Sequence, residues 1–222
     1  MFPLRDNVES QSLPIVTWII IALNVFVFLI ELSVGSNIEP FLQNYGLVPA
    51  DFFANLGAAQ GIHILSSMFL HAGWGHLIGN MWFLYIFGDN VEDRMGHFRY
   101  LLFYIITGLC AALAQTFITP HSHIAMVGAS GAISGVLGAY LLFYPQARVL
   151  TLVPMGSYSR TTEIPAVFFL GLWFVMQLFT GILPLAAGVS QDQGGVAFWA
   201  HVGGFVSGAL LSKVFDRGEL SI

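Results

Sequence analysis

Residues 14–34 read PIVTWIIIALNVFVFLIELSV, a run in which Glu31 is the one charged side chain. A helix needs about 20 mostly apolar residues to cross the hydrocarbon core of a bilayer, and this stretch supplies them. The rest of the chain has the same character. Of its 222 residues, 56% are hydrophobic and 9% are charged, and the mean hydropathy is +0.77. A water-soluble domain of this length needs far more charge to cover its surface, so the composition excludes that class and indicates an integral membrane protein. The stretch before the run, residues 1–12, is polar and mildly acidic. It lacks the basic region and small-residue cleavage site of a secretory signal, so residues 14–34 read as a retained span.

Working outward, six segments qualify as spans of about this length, at residues 14–34, 73–88, 100–118, 125–144, 165–184 and 195–215. In the second, apolar character begins earlier, near Ile62, so residues 62–72 read as a separate surface or re-entrant element. The basic residues orient the bundle. Arg5, Arg94, Arg99, Arg148, Arg160, Lys213 and Arg217 fall in the N-terminal tail, the second and fourth connections, and the C-terminal tail. The positive-inside rule then places both termini in the cytoplasm and the odd-numbered loops outside. Six spans satisfy that parity, whereas five or seven do not. The expected fold is an all-α, six-helix membrane bundle forming one domain over residues 1–222. Residues 1–13 form a cytoplasmic tail and residues 14–215 the core.

The first connection, residues 35–72, is long for a small membrane domain and carries Tyr45, Pro49, Phe52 and Phe53. Loops of this length usually have a function of their own. Its aromatics suit either partial insertion at the outer interface or folding over the bundle. The net charge of −5 says little, because so few charges exist. Cys110 has no partner for an intramolecular disulfide and reads as a small buried apolar residue. No nucleic-acid partner is expected, and the oligomeric state has no sequence signal.

Polar side chains within spans are costly and tend to face the bundle interior, so each is a candidate for function. Those that stand out are Asn24, Glu31, His71, His76, Asn80, Ser130, Ser134, Gln177 and His201. Asn24 and Gln177 read as helix-to-helix glue. Glu31, near the end of its span, reads as reaching the outer interface, and His71 is left without chemistry. His76 and Asn80 are four residues apart and share one helix face. Ser130 sits between small residues in Gly128-Ala129-Ser130-Gly131, and His201 lies early in the last span. With the orientation above, Ser130, His201 and Asn80 each fall roughly five to seven residues below the outer ends of their spans. At about 1.5 Å per residue that is roughly 8–10 Å below the outer boundary, so one cluster is permitted.

Glycine spacing supplies a way for the helices to meet. Gly131 and Gly135 are spaced for close approach, as are Ala200, Gly204 and Gly208, which would bring the fourth and sixth spans together, and Gly128 reads as a helix-packing glycine with them. Taken alone, these glycines fit simple helix packing better than catalysis.

Together these segments resemble the rhomboid family of intramembrane serine proteases. Gly128-Ala129-Ser130-Gly131 is similar to the family's Gly-x-Ser-Gly motif, and Ala200-His201-Val202-Gly203-Gly204 to its Ala-His-x-x-Gly motif. His76 and Asn80, within the stretch 71–81, resemble its His-x-x-x-Asn pair, and Phe87-Gly88 followed by Glu92 and Gly96 resembles the turn after that span. The similarity covers about residues 10–215. It implies a Ser130–His201 dyad without an acidic third member, and oxyanion donors at His76, Asn80 and the Ser130 backbone N–H. It also implies transmembrane protein substrates cut near their outer ends, in a lipid bilayer, with no metal and no cofactor.

Two positions depart from the family pattern. Residues 35–61 contain neither Trp nor Arg, so the Trp–Arg pair of many members is missing, and Glu92 would pair with Arg94 or Arg99 instead. Ser134 stands where some members carry a tyrosine packed on the histidine, so other residues must position His201. Three other readings compete: a client-binding pseudoprotease, a channel or transporter using His76 and His201, and a metalloprotease. Pseudoproteases of this kind usually lack the serine or the histidine, and no clear repeat or His-Glu-x-x-His motif is present. The lack of an added span or long tail fits a prokaryotic plasma membrane better than an organelle.

Overall fold

The computed structural model describes residues 1–54, 57–156, 158–187 and 197–218. Five longer helices and one of 14 residues carry the core: α1 (Ile15–Val34), α5 (Trp74–Met95), α6 (His97–Ile118), α7 (Ser130–Phe143), α8 (Ala166–Ala186) and α9 (Phe198–Phe215). Three short helices, α2 (Ile38–Tyr45), α3 (Pro49–Ala54) and α4 (Ala58–Ser67), occupy the first connection. Strands β1 (Phe2–Arg5), β2 (Arg148–Met155) and β3 (Tyr158–Pro165) form one antiparallel sheet in that order.

By length and composition, three helices can cross a membrane: α1 with its α2 extension, α6, and α8 up to Pro184, while α7 is apolar but shorter. The side-chain distribution in α1 is inverted relative to a protein in water. Thr17, Asn24 and Glu31 are buried, while Trp18, Ile19, Phe26 and Leu29 are exposed. Exposed apolar rows with polar groups turned inward are stable only where the surrounding solvent is lipid.

Several span limits differ from the sequence reading. The second helix continues past residue 88 through Asp89, Asn90, Glu92 and Asp93 to Met95. Its polar last turns are invisible to a hydropathy window, yet its backbone stays helical. Gly96, at φ +76°, then reverses the chain, and α6 begins at His97. The fourth helix begins at Ser130, five residues later than the expected 125. Before it, Met126 bridges Leu47 of the first connection, and Gly128 N–H donates to the Ser67 carbonyl at 2.8 Å.

The connections gather at two ends. At one end β1 pairs with β2, Asp93 accepts from Gln11 N–H at 3.0 Å, and Arg94 pairs with Asp216 at 2.8 Å. The N-terminal tail, the second and fourth connections and the C-terminal tail therefore lie together. The tail expected at residues 1–13 is folded: Trp82 Nε1–H donates to the Pro3 carbonyl at 2.7 Å, and Tyr140 and Asn90 both donate to Asp6. Burial raises the Asp6 carboxyl pKa above the ordinary value, against the lowering effect of the Tyr140 bond. At the other end, Ala50 N–H donates to the Ser122 carbonyl at 3.0 Å and Gln43 to the His123 carbonyl at 3.4 Å, which joins the first and third connections. Phe53 meets Phe117 of α6 edge to face, and Phe52 packs on the cluster of Leu47, Ile64 and Ala112. The first connection thus folds over the bundle. Most of the fifth, residues 188–196, lies outside the described residues.

Glu92 departs from expectation. Its oxygens accept the N–H groups of Val16 (2.8 Å) and Thr17 (2.7 Å), and His97 Nδ1 lies 2.6 Å away. It caps the start of α1 as a buried carboxylate, where orphan N–H groups and the helix dipole both favour an anion. Arg94 and Arg99 turn to Asp216 instead.

Candidate active site

Close approach of α7 and α9 builds the centre. A Cβ on Gly204 would lie 2.0 Å from the Gly131 carbonyl oxygen, and one on Gly208 would lie 2.1 Å from that of Gly135. Gly131 and Gly135 are themselves backed by Ala111 and Thr107 of α6, at 2.7 and 2.5 Å from their ideal Cβ positions. At this separation only glycine fits on α9 at either position, because a carbonyl cannot withdraw as a flexible side chain can. Gly128 serves differently: its φ is +127°, and a Cβ there would lie 2.7 Å from the His76 ring.

The crossing brings Ser130 and His201 together. His201 Nε2 lies 2.8 Å from Ser130 Oγ, a normal hydrogen-bond length between side chains 71 positions apart. Ser130 is the first residue of α7, so its backbone N–H has no acceptor within the helix. His201 is in the first turns of α9, whose start is held by a side chain from α6. Gln115 Oε1 accepts the N–H groups of Trp199 (3.0 Å) and Ala200 (3.2 Å), taking the place of an N-cap residue. The sequence reading had no signal for Gln115, because its partners are remote in sequence.

His76 and Asn80 project from α5 toward the same space. A cavity of about 220 Å³ is lined by Ser130, His201, His76, Asn80, Trp173 and Gln177, among others. Asn80 is held by His71: the Asn80 amide donates to His71 Nε2 at 3.0 Å, and His71 Nδ1 lies 3.2 Å from the Phe69 carbonyl. One tautomer satisfies both contacts, with the proton on Nδ1. The His71 ring also meets that of His76 edge to face, 5.1 Å between centroids. Glu31 accepts the His71 backbone N–H at 2.9 Å and is buried within the protein rather than exposed at its surface.

Ser134, at the position where some family members carry tyrosine, donates to the Ser130 carbonyl at 2.6 Å. Trp173 and Phe198 lie beside the His201 ring instead, at 5.9 and 6.5 Å between centroids. Asn24 is not interhelical glue: its amide donates to the Ile20 carbonyl of its own helix at 2.7 Å. Gln177 does bridge helices, and its partner is His201 Nδ1 at 2.9 Å. Among the described residues, no three His, Cys, Asp or Glu side chains gather as a metal site.

Helices with polar residues inside and apolar residues outside, packed around a Ser–His hydrogen bond, define a membrane protein with a serine–histidine centre. The model of the rhomboid domain matches residues 58–217, more than half of the chain, and the chain belongs to the rhomboid family. Among its relatives are the "Rhomboid-like protein 11, chloroplastic" of Arabidopsis thaliana and the "Rhomboid protein 1, mitochondrial" of Saccharomyces cerevisiae. The first is 31% identical over 130 residues, covering 53% of this chain and 46% of the relative. The second is 28% identical over 185 residues, covering 80% and 48%. The "Rhomboid protease GluP" of Bacillus subtilis is 31% identical over 151 residues, covering 68% and 29%. The chain thus spans about half or less of the length of these relatives. Their names place them in chloroplasts, mitochondria and a bacterium, so family membership does not select one membrane.

Proposed function

We propose that this protein is an intramembrane serine endopeptidase that cleaves transmembrane helices near their outer ends through a Ser130–His201 dyad. The observation that carries the reading is the 2.8 Å contact between Ser130 Oγ and His201 Nε2. A serine hydroxyl is a weak nucleophile until a neutral imidazole takes its proton, and this contact supplies the base. Attack on a substrate carbonyl gives a tetrahedral oxyanion beside the Ser130 N–H at the start of α7, where the helix dipole favours negative charge. Asn80 retains a second amide hydrogen beyond the one given to His71, and that hydrogen together with His76 supplies further donors. His201 then protonates the leaving amine, and water repeats the sequence to release the acyl group.

The substrate must expose a peptide carbonyl, which an intact helix hides in its own hydrogen bonds, so the reaction requires local unwinding. The wider reading is a six-span bundle in one domain, with the end that carries the sheet in the cytoplasm. Convergence of all seven Lys and Arg residues on segments of that end supports this orientation. The test is cleavage of a reporter transmembrane protein in reconstituted vesicles. Ser130→Ala and His201→Ala are each expected to abolish cleavage while the protein stays folded. Retained cleavage in either variant would exclude the dyad.

A further inference from the structure

Position 177 of α8 adds a member to this centre. We infer that Gln177 is a positioning residue for His201: its side-chain carbonyl accepts the Nδ1 proton and so fixes the imidazole in the tautomer that receives the Ser130 proton. This rests on the dyad reading above.

The geometry is that of a three-membered relay. Gln177 Oε1 lies 2.9 Å from His201 Nδ1, while Ser130 Oγ lies 2.8 Å from Nε2, so both ring nitrogens are occupied by side chains. A neutral imidazole carries one proton, and the atom it bonds decides what the ring can do. With the proton on Nδ1 and directed at the Gln177 carbonyl, Nε2 presents a lone pair to the Ser130 hydroxyl and can act as base. With the Gln177 amide reversed, its NH2 faces Nδ1 and the ring proton moves to Nε2. The ring would then donate to Ser130, which inactivates the base. The side-chain amide thus does neutrally what a buried carboxylate does in a Ser–His–Asp triad, where the third member sets tautomer and orientation. A neutral acceptor suits this place, because an ion inside a bilayer carries a large desolvation cost.

The other ring neighbours do not supply this function. Trp173 and Phe198 touch the ring through aromatic surface and constrain its tilt, yet neither accepts a hydrogen bond. Ser134 is committed to the Ser130 carbonyl. Gln177 comes from α8, a different helix from either dyad residue, so the tautomer depends on how α8 sits against α9.

The test uses the full chain, reconstituted with a reporter transmembrane substrate, and three variants. Gln177→Met keeps the length and removes the acceptor; Gln177→Glu keeps an acceptor; Ser130→Ala reports on the dyad itself. Gln177→Met is expected to lower kcat about 10- to 100-fold, the range for a buried N–H left without its acceptor, with KM within about twofold. Its thermal unfolding should stay near that of the parent. Gln177→Glu should recover part of the lost kcat, which a structural role would not produce. The inference is overturned if Gln177→Met keeps the parental kcat while Ser130→Ala is inactive. It is equally overturned if Gln177→Met and Gln177→Glu lose activity alike, or if the loss follows unfolding. Cleavage by Ser130→Ala would overturn the dyad, and the inference with it.

Discussion

At the residue scale, Gly128 is a position where one added methyl group would press on a ring of the candidate site. Its φ of +127° disfavours any L side chain, and a Cβ there, two residues before Ser130, would lie 2.7 Å from the His76 ring. Gly128→Ala is therefore expected to displace His76 and lower kcat at least tenfold, with little change in thermal unfolding, measured by reporter cleavage beside a melting curve. Asn80→Ala should slow cleavage without abolishing it, by about 10²–10³-fold if it supplies one oxyanion donor. The family resemblance marks Ser130, His201, His76 and Asn80 in the sequence, and the structure brings all four to one cavity. Gly128 was read with the helix-packing glycines, whereas its neighbour in space is a ring on another helix. Gln115 and Glu31 were not legible in their roles, and Gln177 was legible as a bridge between helices but not as a partner of His201. Each acts on a partner remote in sequence, and a lone amide or carboxylate in an apolar run carries no mark of what it will face.

At the element scale, the small-residue spacing on α7 and α9 was readable, and the structure places those glycines against one another's backbones. Helix ends were read less well, for one physical reason. Hydropathy follows the apolar layer, while helix ends follow backbone hydrogen bonding. The second helix therefore runs on through its acidic turns, and the fourth starts only at Ser130. That late start gives the serine a free N–H beside its hydroxyl. Two substitutions test the scaffold. Gly208→Val would drive a side chain into the Gly135 carbonyl, 2.1 Å from the ideal Cβ, and is expected to destabilise the protein by about 3 kcal/mol in reversible unfolding in micelles. Gln115→Ala removes the acceptor for two N–H groups at the start of α9. Its expected cost is about 0.5–2 kcal/mol, similar to a lost N-cap, with a fall in kcat because His201 follows within that turn.

At the scale of the whole molecule, charge placement and strand pairing lead to the same arrangement by separate routes. The basic residues divide the connections into two sets, and hydrogen bonds collect the described members of those sets at opposite ends. The sheet itself was not foreseen. Its strands come from a tail and a loop that are polar or mixed in sequence, and β3 is largely exposed, so no alternation of buried and exposed residues marks it. In a Cys110→Ser background, His123→Cys should react with a membrane-impermeant maleimide from outside intact cells. Arg160→Cys should react only after permeabilisation, and the reverse pattern would invert the bundle.

The central claim is that Ser130 is a nucleophile activated by His201, and active-site phosphonylation tests it most directly. The purified protein is treated with a fluorophosphonate, digested, and the modified residue located by mass spectrometry. A single adduct on Ser130 that disappears in His201→Ala is expected. An unmodified Ser130, or an adduct formed equally fast without His201, would contradict it.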